Sequence, residues 1–253
     1  MKDFSDVLFC SDFDGTLFTD GKISDEDAEA IKYFQSHGGA FTLCTGRMPF
    51  VLDEKGITSV SLNAPVVCMN GAMIYDTEKN EILYEDIMPP DVTEVIFRIC
   101  DTTSTVRHIC IPASNDLNDS PKIMLDQRDK IAETIRIGAY KVVFFLDSKD
   151  DEKTLRHVLS ITPSKFGVSR SWSAGIEIQN ASNSKGLSAR KLCAMLGRHT
   201  LICAGDYEND ISMLREADIG FAVANACPAL KAAADRITNS SVGGAIAEII
   251  YSL

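Results

Sequence analysis

Short apolar runs alternate with amphipathic stretches along most of the chain. Residues 7–11 form the first run and residues 40–44 the second. Each run is short enough for a strand that is buried on both faces of a sheet. Between them, Ser24 followed by three acidic residues predicts the start of a helix that ends at Gly38 and Gly39. Strand, helix and strand in this order predict parallel strands, because a helical crossover returns the chain in the same direction.

The carboxyl-terminal part repeats this alternation, and before it the buried run at 65–69 is predicted to be a third core strand. The elements predicted there are a helix over 187–196, a strand over 200–204, a helix opened by 207–210, a strand over 219–223, a helix with Pro228 in its first turn, a strand over 236–238 and a helix over 245–253. We therefore expect an α/β fold with a Rossmann-like, doubly wound parallel sheet.

The segment 85–178 has a different pattern of apolar residues, without the regular alternation of strand and helix. It follows a predicted hairpin, 73–75 with 82–84, and contains a break at Pro89 and Pro90. Its predicted elements are a helix carrying Val92, Val95, Ile96 and Ile99, strands over 106–111 and 141–146, a helix carrying Leu155, Val158 and Leu159, and extended pieces over 166–172 and 176–178. This pattern predicts a small inserted α+β unit, so that 1–84 and 179–253 form the core.

The composition narrows the possible partners. The chain has 253 residues and a net charge of −11, so we expect it to avoid nucleic acid and anionic membrane surfaces. No apolar run approaches the length of a membrane span, and the amino terminus lacks the layout of a secretion signal. The eight cysteines include no C-x-x-C pair, which favours reduced, buried thiols. We expect a cytoplasmic protein, and no obligate protein partner is evident.

Candidate chemistry stands at the end of the first run. Asp12 and Asp14 are two residues apart in an extended segment, so both side chains can address one point beyond the sheet. Gly15 allows the chain to curl there and turn backbone N–H groups toward the same point. Repulsion between the carboxylates is relieved by a divalent cation, and hard oxygen ligands favour Mg²⁺. An Asx-type turn with solvated acids is the alternative interpretation.

Three further polar sites belong to the same edge. Thr45 and Gly46 follow the second strand, Asp206 follows the strand over 200–204 with Asn209 and Asp210 close behind, and Lys185 begins a helix. Open α/β sheets bind ligands at the carboxyl ends of their strands. Taken singly, Thr45 is consistent with a helix cap, Lys185 with a solvated charge and Asp206 with a turn.

The motifs D-F-D-G-T at 12–16, C-T-G-R at 44–47, S-K-G at 184–186 and G-D-Y-E-N-D at 205–210 resemble, in order and spacing, those of the haloacid-dehalogenase-like hydrolases. The insertion resembles the α/β cap of the Cof-type sugar-phosphate phosphatases in that superfamily, and the segment 223–244 is similar to the usual ending of that subfamily. Two features depart from it: Phe13 replaces an aliphatic residue, and the sequence over 48–63 predicts less helix than the family tends to have there.

The resemblance implies a Mg²⁺-dependent phosphatase that acts on a small phosphorylated metabolite. Asp12 would be the nucleophile that forms an aspartyl-phosphate, and Asp14 the general acid and base. The Asp14 carbonyl and the carboxylates of Asp12 and Asp206 would hold Mg²⁺, with Asp210 in support. The phosphate-binding or substrate-binding residues would be Thr45, Gly46, Arg47, Lys185 and Asn209, with Asn70 bordering the site.

The sequence leaves other functions open. A sugar phosphomutase shares the core but needs a grip on a second phosphate, for which the insertion offers only scattered candidates: Arg107, His108, Lys122, Arg128 and Arg170. A phospho-acceptor signalling domain of the receiver type and a catalytically inactive binding module are the remaining alternatives. The substrate, whether a sugar phosphate, a nucleotide or a cofactor phosphate, is not readable; Trp172, Arg170 and His108 are the cap residues that we expect to face it.

Overall fold

The structure, a computed structural model, describes residues 2–49, 61–117, 119–149, 151–240 and 243–253. The segment 48–63, for which the sequence predicts little helix, lies largely outside the described residues. Residues 241 and 242 of the carboxyl-terminal motif lie wholly outside them. The chain divides into two compact units, Met1–Tyr84 with Ser184–Leu253, and Glu85–Asn183. The assignment of 85–178 as a cap over a catalytic core stays a prediction.

The described helices and strands follow one another in the order in which they are numbered. They are β1 (Val7–Ser11), β2 (Phe18–Thr19), β3 (Lys22–Ile23), α1 (Asp25–Ser36), β4 (Ala40–Leu43), β5 (Val66–Cys68), β6 (Met73–Asp76), β7 (Glu81–Glu85), α2 (Val92–Thr102), β8 (Val106–Cys110), β9 (Lys122–Ile123), α3 (Arg128–Gly138), β10 (Lys141–Leu146), α4 (Glu152–Ile161), β11 (Phe166–Ser169), β12 (Gly175–Asn180), α5 (Lys185–Met195), β13 (Thr200–Gly205), α6 (Ile211–Glu216), β14 (Ile219–Ala222), α7 (Pro228–Ala233), β15 (Arg236–Ile237) and α8 (Ala245–Ser252). Short 3₁₀ turns, Met69–Gly71 and Glu208–Asp210, precede β6 and α6.

The first unit is built on a five-stranded sheet in the order β15-β14-β13-β1-β4, and its strands are all parallel. Successive residues of β1 point to opposite faces. Phe9 meets Phe34 of α1 on one face, whereas Leu8 and Cys10 pack with Leu192 of α5 on the other. Helices cover both faces, which confirms the predicted doubly wound α/β core.

The run at 65–69 lies beside this sheet. Its strand β5 pairs antiparallel with β6 in a separate three-stranded sheet, β5-β6-β7. A single parallel bridge between Cys44 and Val67 joins it to the end of β4. The run is buried, as its sequence predicts, but its assignment as a strand of the central sheet is wrong, because β5 pairs antiparallel with β6 and only one bridge joins it to the end of β4.

The second unit has a five-stranded antiparallel sheet in the order β11-β12-β10-β8-β9. Its apolar face carries Ile109, Phe144 and Ile176, which are cross-strand neighbours. They share one buried cluster with residues of α2, α3 and α4, including Ile99 and Ile131. This is the α+β unit that the sequence predicts.

Helix α3 and the short strand β9 are not predicted by the sequence pattern. Only Ile131, Ile135 and Gly138 of α3 are buried, and charged residues dominate the rest of the helix, so the apolar stripe is too sparse to stand out. Conversely, the pattern places Leu159 in the apolar stripe of α4, but its side chain is half exposed. In the part of the chain that the structure describes, none of the helices has both the length and the apolar character that crossing a bilayer requires.

Candidate active site

Asp12 lies directly after β1 and continues its ladder. Its backbone N–H donates to the Ala204 carbonyl over 2.8 Å, and the residue is 6% exposed. Beyond Asp14, Gly15 adopts φ +82°, and a Cβ there would lie 2.5 Å from Oδ2 of Asp206. Because only glycine fits both the dihedral and the space, the turn after Asp14 brings the backbone close against Asp206.

Lys185 is the centre of the site. Ser184 caps α5, its Oγ accepting the N–H of Leu187, and Lys185 follows as the first helical residue. Its ammonium Nζ donates to Oδ1 of Asp12 over 2.5 Å and to Oδ1 of Asp210 over 2.6 Å, and its side chain is fully buried. Burial alone would lower the pKa of Lys185, but the two carboxylates outweigh it and raise the pKa.

Three buried or partly buried carboxylates gather here, those of Asp12, Asp206 and Asp210, each with an oxygen within 4.8 Å of the other two. Burial, with repulsion from its acidic neighbours, raises the pKa of Asp12 well above its usual range. Burial and the charge of Asp210 raise the pKa of Asp206 to about 6. These shifts arise because the carboxyl groups of the cluster are crowded and share one buried ammonium among the described residues, so the cluster in which all three are ionised needs further positive charge. An all-oxygen donor set with uncompensated charge fits a hard divalent cation.

Asp210 organises the loop after β13. Its Oδ2 accepts the backbone N–H groups of Asp206 over 3.0 Å and Tyr207 over 3.1 Å, while Oδ1 accepts from Lys185. It is wholly buried. With both oxygens occupied by these donors, its carboxylate orients Asp206 and Lys185. The supporting role of Asp210 behind the metal ligands stays a prediction.

Thr45 follows β4 at the level of Asp12, because the N–H of Cys44 donates to the Ser11 carbonyl over 2.8 Å. Thr45 is buried, its hydroxyl accepts the N–H of Arg47 over 3.1 Å, and Gly46 lies between these two residues. The structure thus places the hydroxyl and glycine of the second motif at the strand edge where the first motif ends.

Asn70 and Asn209 link two of the loops. The N–H of Asn70 donates to the Thr45 carbonyl over 3.0 Å, and Asn70 has φ +57°. The side-chain amide of Asn209 donates to Oδ1 of Asn70 over 3.3 Å. These contacts connect the segment after β5 with the loop after β13. The phosphate-binding role of Asn209 stays a prediction.

Arg47 binds Asp14, a contact that their separation in sequence does not reveal. The guanidinium donates to both carboxylate oxygens of Asp14, over 2.5 and 2.6 Å, and lies over the ring of Phe13 with 5.8 Å to the centroid. Asp14 is exposed and its carboxylate is half accessible to solvent. The Phe13 departure from the family pattern thus has a physical consequence, since its ring supports the guanidinium.

Thr16 also belongs to the candidate site, although the sequence motifs alone do not assign it a role. Its hydroxyl donates to Oδ1 of Asp206 over 3.3 Å, and it is buried. The sequence contains a clue to its position, because Thr16 is the last residue of the D-x-D-G-T motif, two residues after Asp14. The side-chain amide of Asn225 donates to the Gly15 carbonyl over 2.9 Å; nothing in the spacing of the motifs pointed to that contact.

The fold is a doubly wound α/β sheet, and the ends of its strands carry a cluster of aspartates around one lysine. Comparison with known protein families shows which class of hydrolases combines this fold with this cluster. The family model of the haloacid dehalogenase-like hydrolases matches residues 9–250, and the chain belongs to that family. It is accordingly an enzyme of the hydrolase class.

Curated relatives match nearly the full chain. The putative phosphatase YxeH of Bacillus subtilis is 27% identical, covering 97% of this chain and 97% of that protein. The pyridoxal phosphate phosphatase YbhA of Escherichia coli is 26% identical, covering 95% of this chain and 96% of that protein.

Solved structures show the same fold. A haloacid dehalogenase-like hydrolase from B. subtilis superposes with a TM-score of 0.77 at 20% identity, covering 97% of this chain and 99% of that one. The subclass IIB sugar phosphatase BT4131 gives a TM-score of 0.73 at 22% identity, covering 91% and 92% of the two chains.

Proposed function

We propose that this chain is a Mg²⁺-dependent phosphoric monoester hydrolase that acts on a small phosphorylated metabolite, with a sugar phosphate as the first candidate, through an aspartyl-phosphate on Asp12. One observation carries the proposal. The Lys185 ammonium bonds to Asp12 and Asp210 inside a cluster that includes Asp206. This arrangement supports a nucleophile beside a cation and a set of hard oxygen ligands at one sheet edge.

Asp12 carries the first step. A carboxylate oxygen attacks phosphorus, an O–P bond forms, and the bond from phosphorus to the ester oxygen breaks. The Lys185 ammonium fixes the nucleophile through Oδ1 and remains beside the phosphoryl oxygens as their charge redistributes. The Thr45 hydroxyl and the Gly46 N–H supply further donors to those oxygens.

Asp14 handles the protons. It gives a proton to the departing ester oxygen, and the resulting carboxylate then takes a proton from the water that hydrolyses the aspartyl-phosphate. That water attacks phosphorus, phosphate leaves, and the Asp12 carboxylate is restored. In the structure both oxygens of Asp14 accept N–H groups of Arg47, which limits the rotamers of an otherwise exposed side chain. One of these two hydrogen bonds opens when Asp14 takes up the proton that it gives to the leaving group.

The residues that would hold Mg²⁺ are Asp12 and Asp206 through their carboxylates and Asp14 through its carbonyl. When bound, a divalent cation supplies positive charge that neutralises phosphoryl oxygens and lets an anionic nucleophile approach. Thr16 and Asp210 hold Asp206 in place by hydrogen bonds to its side chain and backbone, so the ligand position is fixed by the protein.

The named relatives bear on the substrate. They include phosphatases of pyridoxal phosphate and of 5-amino-6-(5-phospho-D-ribitylamino)uracil, both small phosphate monoesters. These compounds therefore join sugar phosphates in the candidate panel for this chain. A phosphomutase would convert a hexose 1-phosphate to an isomeric hexose phosphate and release no free phosphate, so one incubation separates the two functions.

The test is phosphate release from a panel of phosphorylated metabolites, with and without Mg²⁺. We expect turnover of at least one monoester in the presence of Mg²⁺ and a loss of roughly 10²-fold or more in Asp12→Asn. Asp20→Asn, at an exposed position outside the site, is the matched control and should keep full activity. A folded Asp12→Asn protein with near-normal turnover would refute the nucleophile assignment.

A further inference from the structure

The turn after β14, residues 223–227, contacts both segments that carry the proposed metal ligands. Its backbone reaches the loop after β13, where the N–H of Cys227 donates to the Asp206 carbonyl over 2.8 Å. Its asparagine reaches the turn after β1, where Nδ2 of Asn225 donates to the Gly15 carbonyl over 2.9 Å. All these residues belong to the first unit. One short segment therefore connects two parts of the candidate site that are far apart in sequence.

Gly15 is the position at which the turn after β1 depends on hydrogen bonds for its conformation. Its φ is +82°, and a glycine populates many other backbone conformations about as readily, because no Cβ restricts it. The N–H of Gly15 donates to the Phe18 carbonyl over 3.0 Å. The Asp14 carbonyl belongs to the same trans peptide and therefore points the opposite way. Asn225 binds the carbonyl of the next peptide, so hydrogen bonds fix Gly15 on both sides.

Lys231 of α7 supports Asn225 from behind. Its Nζ donates to the Ala224 carbonyl over 2.6 Å, and this carbonyl belongs to the peptide that joins Ala224 to Asn225. Lys231 is partly buried, whereas Asn225 is exposed. Because Asn225 buries little surface, packing does not explain its contact with Gly15. The contribution of its side chain is the hydrogen bond that its amide donates.

We infer that Asn225 is a positioning residue for the metal site. Its amide fixes the Gly15 peptide and thereby the direction of the Asp14 carbonyl, while the turn that carries it also holds Asp206. The inference rests on the proposed function, because Asp14 and Asp206 are metal ligands only in that proposal. Mg²⁺ demands near-ideal octahedral geometry. The loss of a hydrogen bond behind a ligand therefore weakens Mg²⁺ binding although every ligand is still present.

The test measures Mg²⁺ affinity without substrate, from the rise in the melting temperature of the full chain as Mg²⁺ is added. Asn225→Ala removes the amide, and we expect its apparent Kd for Mg²⁺ to rise about threefold to tenfold, the range that one hydrogen bond supports. Without Mg²⁺, its melting temperature should stay close to that of the wild type, because the lost contact is exposed. An unchanged Kd in Asn225→Ala would overturn the inference.

Asn239→Ala is the matched control. Asn239 is also exposed, and its amide also donates one hydrogen bond, to Oε1 of Glu248 over 3.0 Å. Neither residue belongs to the candidate site, so we expect the Kd for Mg²⁺ to equal that of the wild type. Equal weakening of Mg²⁺ binding in Asn239→Ala and Asn225→Ala would contradict a role specific to Asn225.

Phosphate release gives a second readout. In Asn225→Ala we expect turnover to fall when Mg²⁺ is limiting and to recover when Mg²⁺ is saturating, because the ligands themselves remain. A loss of turnover that saturating Mg²⁺ does not relieve would overturn the inference, since the amide would then act on the substrate. Lys231→Met should weaken Mg²⁺ binding in the same direction as Asn225→Ala, because the support behind the amide is lost.

The inference and the proposed function fail in different ways. Mg²⁺-dependent phosphate release with an unchanged Kd in Asn225→Ala removes only the positioning role. A raised Kd in Asn225→Ala without phosphate release from any monoester removes only the proposed activity. A wild-type protein whose melting temperature does not respond to Mg²⁺ contradicts both.

Discussion

At the scale of single residues, one buried lysine offsets the free-energy cost of burying the acidic cluster in the folded protein. Lys185 is enclosed with Asp12 and Asp210, and a buried carboxylate without a partner is far more costly than a paired one. The same ammonium that would bind phosphoryl oxygens therefore also stabilises the fold. We therefore expect activity and stability to be coupled at this position.

Lys185→Met tests this coupling. The substitution leaves two buried carboxylates without their cation, so we expect the free energy of unfolding to fall by about 3–5 kcal/mol, together with the activity. Urea unfolding followed by far-UV circular dichroism measures the loss. Lys191→Met on the same helix is the control, because Lys191 is exposed and contacts only the ring of Tyr84 among the contacts described. Its expected cost is about 1 kcal/mol or less, and equal costs in the two variants would contradict the argument.

Asp14 supports a prediction about leaving groups. If Asp14 protonates the departing oxygen, Asp14→Asn should slow alcohol release from a sugar phosphate by roughly 10²-fold or more in a single turnover. Release of p-nitrophenolate, which departs without a proton, should fall much less. The exposed Asp20→Asn variant should match the wild type with both substrates. An equal loss with both leaving groups would argue that Asp14 has another role.

At the scale of elements, close approaches of backbone position the site. Gly186 is the second residue of α5, and a Cβ there would overlap the Ser212 carbonyl of α6. The two helices can therefore approach closely at the point where Lys185 enters the cluster. Gly71 likewise allows a close backbone approach, because a Cβ on it would overlap the carbonyl of Ser184, the residue before α5.

Gly186→Ala should destabilise the protein even though alanine is the better helix former. Helix propensity favours alanine by about 1 kcal/mol, but the overlap with α6 costs about 1–3 kcal/mol and also displaces Lys185. We expect a net loss of stability and of phosphate release. Gly167→Ala, whose Cβ would lie 3.9 Å from its nearest neighbour, should change stability by no more than about 0.5 kcal/mol. A stabilised Gly186→Ala protein would show that the helices separate easily.

The sequence predicted elements well where the apolar pattern was dense. The buried runs at 7–11, 141–146 and 200–204 became β1, β10 and β13 within a residue, because each is apolar on both faces or nearly so. Helix α3 was missed because few of its residues are buried. The partnership of Arg47 and Asp14 was invisible, because residues 33 apart meet only through the turn after β1.

The site motifs were predictable for a different reason. Parallel strands bring their carboxyl ends to one edge, so topology alone places Asp12 and Asp206 together. Topology does not specify contacts between side chains. The order of the strands therefore does not predict the hydrogen bond from Thr16 to Asp206. It also does not predict that both carboxylate oxygens of Asp210 accept hydrogen bonds.

At the scale of the whole molecule, the net charge of −11 opposes an anionic substrate, so local positive charge has to overcome it. The acidic cluster of the first unit would gain stability from a cation that binds only the folded protein. We expect millimolar Mg²⁺ to raise the melting temperature by several degrees in the wild type. Differential scanning fluorimetry measures this shift.

The control for that shift is a pair of aspartate variants. Asp206→Asn removes a proposed ligand and should abolish the effect of Mg²⁺, whereas Asp218→Asn should retain it, because Asp218 instead pairs with Arg190. A Mg²⁺ shift that survives in Asp206→Asn would place the cation elsewhere.

Trapping the covalent intermediate tests the central claim most directly. The enzyme is mixed with a turned-over phosphate monoester, quenched in acid, reduced with borohydride and digested for mass spectrometry. An aspartyl-phosphate is reduced to homoserine, so the account predicts this mass change at position 12, dependent on substrate and absent from Asp12→Asn. Modification at another carboxylate, or steady turnover with no modification at position 12, would contradict it.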